Sequence, residues 1–281
     1  MKKDIDFRFM NFGLIILFFW TLAPSLALSQ SALQEIADHM EATLKAIGNH
    51  VTLFTIQRAR GSDIYRGYKK LVLCGRESSL KGRCFREEIY EYEEFVQSPF
   101  RQLAVFDGRM SRGFQPVNNT GNIESGQNEF FLMPDDPENY YRRILGAELT
   151  DILKSEIDYV KPEPTVRIID DRFFIVNLIF NAINSQVRYQ VTFDKDHGML
   201  PVKIFRQSRP DENSPWKDVL QHSILEWMTL ENGVHYPKTG VQTIYQEEIQ
   251  PTKLEVLSLV RNVDIKAVTD SFNFPLDCQV Y

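Results

Sequence analysis

From Thr165 to the C-terminus the chain is a succession of short runs rich in β-branched and aromatic residues, separated by compact turns, and this punctuation limits the fold more than any other feature. The runs are Thr165–Ile169, Arg172–Asn181, Ser185–Phe193, Leu200–Gln207, Asp218–Leu230, Val234–Gln246 and Lys253–Asp264. Turns stand at Asp170-Asp171, Ala182-Ile183-Asn184, Asp194 to Gly198 and Glu231-Asn232-Gly233. Links this short join neighbouring strands antiparallel, because a parallel crossover needs a dozen residues or more. The same period-two pattern fills the first half, over Val51–Arg58, Asp63–Leu73, Arg83–Phe95 and Arg101–Phe106, and Asp107-Gly108 is a two-residue hairpin signal. Val117 to Gln127 reads as a polar loop.

Two segments have helical period instead. Ser31 to Asn49 carries Leu33, Ile36, Met40, Leu44 and Ile47 on one stripe, with Gly48 at its C-terminal end. Pro137 to Ile157 carries Tyr141, Ile144, Leu145, Leu149, Ile152 and Leu153, and Lys161-Pro162-Glu163-Pro164 breaks the chain after it. The expected fold is mainly β (α+β): a large antiparallel sheet with an N-terminal helix and mid-chain helices covering one face. No repeat or linker divides it, so residues 30–281 read as one domain.

One strand bears on function. Arg172–Asn181 places Phe174, Val176, Leu178 and Phe180 on one face, and its other face is also largely apolar. The next strand alternates cleanly, with Val187, Tyr189, Val191 and Phe193 on one face and polar residues on the other, and the apolar face continues in Leu200, Val202 and Ile204. The pattern fits either a sheet packed on helices or a curved sheet lining an apolar ligand cavity.

The first 29 residues read as a cleavable secretory signal. Lys2, Lys3 and Arg8 precede the apolar stretch Phe12 to Trp20; Pro24 breaks it, and Ala27-Leu28-Ser29 offers small residues for cleavage. Gln30 follows rather than Cys, so the expected product is soluble, unanchored and exported, periplasmic or secreted. Removing that leader, which holds three basic and two acidic residues, takes the net charge from −6 to −7 and leaves 252 residues. An acidic balance argues against nucleic acid as a partner, since phosphate binding needs clustered Lys and Arg.

No catalytic or metal pattern stands out. The five His fall in no ligand spacing with one another or with Cys, no Gly-x-Ser-x-Gly elbow or phosphate loop occurs, and the acidic run Glu87 to Glu94 alternates with Tyr90 and Tyr92 as an exposed strand face would. No cofactor is expected. Cys74 and Cys84 flank a turn centred near Ser79, which would set them opposite one another on paired strands, within reach of a disulfide outside the cytoplasm. Three reduced thiols are the alternative.

The order of elements resembles that of the LolA/LolB-like lipoprotein-sorting carriers of the periplasm. Three local features strengthen the resemblance. Val105 to Pro116 is similar to the family's Asp-Gly-basic hairpin ending in an aromatic, a polar residue and Pro. Phe193-Asp194 through Gly198-Met199-Leu200-Pro201-Val202 resembles a hairpin that turns at Asp…Gly and resumes with Leu-Pro. Phe272-Asn273-Phe274-Pro275 with Val280 is similar to the family's closing pattern. The family's basic residue followed by Pro on an early strand has no counterpart, because Arg76 lacks the Pro.

The resemblance implies an open half-barrel with helices over its mouth, no chemistry, and a cavity for lipid or lipoprotein acyl chains, with membrane-associated sorting proteins as further partners. Phe174, Val176, Leu178, Phe180, Val187, Tyr189, Val191 and Phe193 are then the expected lining. A non-catalytic envelope interaction or assembly module on the same fold is the second expectation, and an extracellular hydrolase the third.

Overall fold

The structure, a computed structural model, describes residues 30–60, 63–74, 84–90, 102–106, 110–125, 141–144, 147–154, 164–182, 185–246, 250–263 and 274–280. Residues 1–29, expected to be a leader, lie outside them. The first described element is a helix, α1, over 30–47. Six strands follow: β1 (His50–Arg60), β2 (Asp63–Cys74), β3 (Cys84–Tyr90), β4 (Gln102–Phe106), β5 (Met110–Gln115) and β6 (Thr120–Ser125). A short unit comes next, β7 (Arg143–Ile144), β8 (Ala147–Glu148) and α2 (Leu149–Leu153). The second half holds β9 (Thr165–Ile169), β10 (Phe173–Ala182), β11 (Ser185–Asp194), β12 (Leu200–Arg209), β13 (Lys217–Thr229), β14 (His235–Ile244) and β15 (Thr252–Arg261), with β16 (Gln279–Val280) at the end.

Fourteen strands form one sheet in the order β16-β6-β5-β4-β3-β2-β1-β15-β14-β13-β12-β11-β10-β9. Two meanders build it. One runs outward from β1 to β6, the other inward from β9 to β15, and the antiparallel pair β1–β15 joins them. Every pair is antiparallel except β16–β6, which is parallel over two residues. The two ends of the order do not meet, so the sheet is an open half-barrel. Register shifts at Leu53/Phe54, Thr192/Phe193, Arg206/Gln207, Ile224/Glu226 and Glu226/Trp227 insert extra residues into otherwise regular ladders, and such bulges bend a strand and increase its twist.

Helix α1 covers the concave face. Leu33, Ile36, Ala37, Met40, Leu44 and Ile47 are buried in one apolar cluster with side chains of β1, β10, β11, β12 and β15. The C-terminal end of the helix is tied to three loops. Arg261 donates to the carbonyls of Ala46 and Ile47 (2.6 and 2.9 Å), Asn232 Nδ2 donates to the Ala46 carbonyl (3.0 Å), and Thr43 Oγ1 donates to the Gly198 carbonyl (2.8 Å). The bonds from Arg261 and Asn232 satisfy carbonyls that a helix end leaves without partners, and that from Thr43 holds the β11–β12 turn. Gly198 has φ +67°, and a Cβ there would stand 2.2 Å from Thr43 Oγ1, so both its backbone and its neighbour require glycine. Lys154, just past α2, pairs with Glu41 and Asp38 of α1 and fastens the two helices together.

Two sequence expectations are corrected. The helix expected over Pro137–Ile157 is interrupted: β7 and β8 pair as a hairpin, and among the described residues of that span only Tyr141 and the five residues of α2 are α-helical. Gly146 sits inside the apolar stripe, where it weakens a helix, and the buried carboxylate of Glu148 holds both Arg142 and Arg143 across the hairpin. The loop expected over Val117–Gln127 contains strand β6, hydrogen-bonded to β5 through Thr120–Ser125. A strand can be built from Gly, Asn and Thr when it is paired on both sides and its convex face is covered. Here Phe274 lies over Gly121, where a Cβ would come within 2.3 Å of the ring, and packs with Leu103, Val105 and Phe114 as a second small core.

Cys74 and Cys84 are direct register partners across β2 and β3. We propose that they form the disulfide, which closes a loop of about ten residues and contributes roughly 2–3 kcal/mol. Alkylation of the unfolded, unreduced protein is then expected to label Cys278 alone; labelling of all three thiols would show the pair reduced.

Candidate functional site

The eight residues expected to line a cavity come together on the concave face. Phe174 faces Phe193, Val176 faces Val191, Leu178 faces Tyr189 and Phe180 faces Val187, as four alternate rungs of the β10–β11 ladder, all on one face. All eight are buried and belong to the apolar cluster that α1 and α2 also enter. Burial is graded along the strands. Val176, Leu178, Val191 and Phe193 are fully covered, whereas Phe180 and Val187, at the end away from the tethered loops of α1, retain 8% and 9% of their surface. Leu220 and Ile244 on β13 and β14 are partly exposed at that same end.

The face changes character across the sheet. Along one row Val176, Val191, Ile204, His222, Gln242 and Thr252 stand side by side on β10 to β15, all buried, so an apolar half grades into a polar one. Burial pushes the His222 imidazole down to about 4, because an enclosed site disfavours the charged ring. A folded-state value below the unfolded one means that the unfolded chain binds the proton first. The contribution of neutral His222 is present above about pH 6.5 and is lost as pH falls toward 4, a change of about 3 kcal/mol. His222→Gln is expected to flatten the fall in urea midpoint between those pH values; an unchanged slope would assign it to other groups.

In the next row Leu178, Tyr189, Arg206, Leu220 and Ile244 face one another. Arg206 Cζ lies 5.9 Å from the Tyr189 ring centroid. Burial raises the Tyr189 phenol above its ordinary value, and the Arg206 charge partly opposes that. Neither Arg206 nor the polar row was expected. Arg206 is the next alternate residue after Leu200, Val202 and Ile204, so the strand period alone, carried two residues further, points to it.

A separate cavity of about 300 Å³ lies among Gln102, Gly113, Phe114, Gln115, Thr120, Gly121 and Asn122, at the β4–β6 end of the sheet. Its lining is uncharged and mixes amides and a hydroxyl with the Phe114 ring and two glycines, and it is remote in the strand order from the eight apolar residues. Among the described residues no cluster of three or more His, Cys, Asp or Glu could hold a metal ion, and no helix is long and apolar enough to cross a membrane. Glu88, part of the acidic run read as an exposed face, is buried; Glu91, Glu93 and Glu94 lie outside the described residues.

A corner of the half-barrel is fixed by charge. Asp194 accepts from Arg172 Nε and Nη2 (2.9 and 2.7 Å), from the Asp196 backbone N–H (3.0 Å) and pairs with His197 Nδ1 (2.7 Å). Burial raises its carboxyl, but the bonds to Arg172, His197 and Asp196 outweigh it and hold the group below the usual carboxylate range. His197 stacks on Trp227 at 4.3 Å and meets His235 edge-on at 4.8 Å. This cluster braces the β11–β12 turn on which α1 rests, and Thr229 Oγ1 lies 3.4 Å from His235 Nδ1 at its edge.

No family model matches the chain, and no curated relative does. Solved structures do. A protein of the DUF1329 family from Desulfovibrio piger superposes with a TM-score of 0.57 at 12% identity, over 86% of this chain and 97% of the other. An outer membrane lipoprotein-sorting protein domain from Vibrio parahaemolyticus gives 0.53 at 12% identity, over 84% and 96%. A LolA superfamily protein from Nitrosomonas europaea gives 0.51 at 13% identity, over 89% and 98%. At such identities the likeness is one of architecture, and the architecture is that of the LolA-like fold.

Proposed function

We propose that this chain is an exported, non-catalytic carrier that shields lipid or lipoprotein acyl chains on the concave face of its half-barrel. The observation that carries the reading is the run of four apolar rungs on β10 and β11 beneath an amphipathic helix. An acyl chain displacing part of α1 from that face exchanges one apolar layer for another, and each methylene taken from water gains about 0.8 kcal/mol. Two of the structural neighbours, described as a lipoprotein-sorting domain and a LolA superfamily protein, support it through the shared fold.

Native mass spectrometry of the purified protein, with fluorescent acyl-chain displacement alongside, tests the reading. The expected result is co-purifying lipid and saturable displacement; absence of both sinks it. A second reading, an interaction module that keeps the fold without a ligand, is favoured by the burial of all eight residues to 9% or less against α1. It requires that α1 stays in place. Cross-linking α1 to β11 by engineered cysteines would abolish uptake in a carrier and change nothing in a module.

A further inference from the structure

Arg206 is the unexplained residue of the concave face. It stands on β12 directly opposite Tyr189 and next to Leu220, on the face that carries the apolar rungs. Among the described residues its guanidinium makes no hydrogen bond and no ion pair. Its Nε is shielded from solvent and has no acceptor, and its one described neighbour of note is the Tyr189 ring. Other arginines of the same half are provided for: Arg172 grips Asp194, Arg188 donates to Gln207, and Arg209 donates to Gln186. A guanidinium offers five N–H donors in a planar fork, and leaving a part-buried one without an acceptor is costly.

Its position supplies the meaning. The rungs are sealed where α1 is tethered, and burial relaxes toward Phe180 and Val187. Arg206 lies on that relaxed side, one rung beyond Ile204. A chain lying along the apolar rungs with its polar end toward the open side would bring that end to the fork. Neutral heads would leave the N–H groups unmet, whereas a carboxylate or phosphate matches the fork in charge and geometry.

We propose that the ligand of the concave face is an acyl chain ending in an oxyanion, and that Arg206 receives the oxyanion. This rests on the carrier reading and adds the class of cargo to it. The chemistry is shared by fatty acids and by phosphate-bearing lipids, so the test carries both. Wild type, Arg206→Gln and Arg206→Lys are titrated with palmitate, methyl palmitate and palmitoyl lysophosphatidic acid, displacing a neutral fluorescent acyl ester. Thermal unfolding of each variant checks that it is folded.

Wild type is expected to bind at least one of the two anions about tenfold or more tightly than methyl palmitate. Arg206→Gln is expected to erase that preference while leaving methyl palmitate unchanged, and Arg206→Lys to keep part of it. A preference for palmitate identifies a carboxylate head, and one for the lysophosphatidic acid a phosphate head. Equal binding of all three ligands by wild type, or a preference that survives in Arg206→Gln, overturns the role of Arg206 and leaves the carrier reading standing. Failure of every ligand to displace the probe removes both.

Discussion

Phe193→Ala is expected to destabilise the protein by about 3–5 kcal/mol, while Phe173→Ala, at a residue of the neighbouring strand whose side chain points the other way, costs less than about 1 kcal/mol. Phe193 is fully covered and lies opposite Phe174 on the concave face, inside the cluster that α1 closes. Truncating it loses the transfer free energy of a benzyl group and leaves a void that the facing helix cannot collapse into, because α1 is pinned at Thr43, Ala46 and Ile47. Phe173 is half-buried, and its described ring contact is Arg172, whose Cζ lies 4.8 Å from the ring centroid. For a chain of this size the first change should lower the thermal midpoint by roughly 10 °C, at about 2–4 °C per kcal/mol. The pair is a test of register, since a one-residue slip of β10 or β11 would exchange inward for outward side chains. Similar losses in the two variants would contradict the ladder that places Phe174 against Phe193.

The inward faces were legible before any coordinates, though the pairing was not: the ladder closes one residue tighter than the expected turn, with Ala182 opposite Ser185. The alternation Val187, Tyr189, Val191, Phe193 needs one side of β11 dry, and the two strands flanking a three-residue turn at Ala182–Asn184 had to pair antiparallel. Cys74 and Cys84 were placed opposite one another by the same logic, and the ladder of β2 and β3 pairs them. Period-two alternation and turn chemistry are local, so they survive into the fold.

What depends on non-local contacts was not legible. β6 reads as a loop because Gly121, Asn122 and Ser125 have no strand preference; it is a strand because β5 offers hydrogen bonds and Phe274, far along the chain, covers Gly121. The polar half of the concave face was missed for a related reason. His222, Gln242 and Thr252 lie on three strands and meet only in the assembled row. Arg206 was missed because a charged residue in an alternating strand is assigned to solvent by habit, whereas the register with Tyr189 turns it inward. The half-barrel itself came from the likeness in element order, not from alternation, which cannot tell a flat sheet from a curved one.

Glu148→Gln should be the most damaging single polar change outside the sheet, at about 3–5 kcal/mol. Its carboxylate accepts from Arg142 Nε through one oxygen and from Arg143 Nε through the other, the latter at 3.1 Å, and the side chains of all three are at most 4% exposed. Glutamine keeps the shape and removes the charge, which replaces the anionic acceptor shared by two enclosed guanidiniums with a weaker neutral one. The cost is that of removing a buried anion from between two buried cations, so added salt should recover little of it, unlike the loss of an exposed pair. Replacing all three by apolar residues, Arg142→Met, Arg143→Met and Glu148→Leu, is expected to cost much less than Glu148→Gln alone, because the desolvation penalty disappears with the charges. The comparison separates two roles. If the triad only stabilises, the apolar triple variant behaves as wild type in urea unfolding and in acyl uptake. If it also selects the β7–β8 hairpin over the continuous helix that Tyr141 to Leu153 would otherwise favour, the triple variant stays folded but gains helical circular dichroism. The second outcome is expected, since the apolar stripe over that segment is helical in period and the two arginines converging on Glu148, together with Gly146, oppose it. A Glu148→Gln variant within 1 kcal/mol of wild type would mean that the carboxylate is not holding the hairpin.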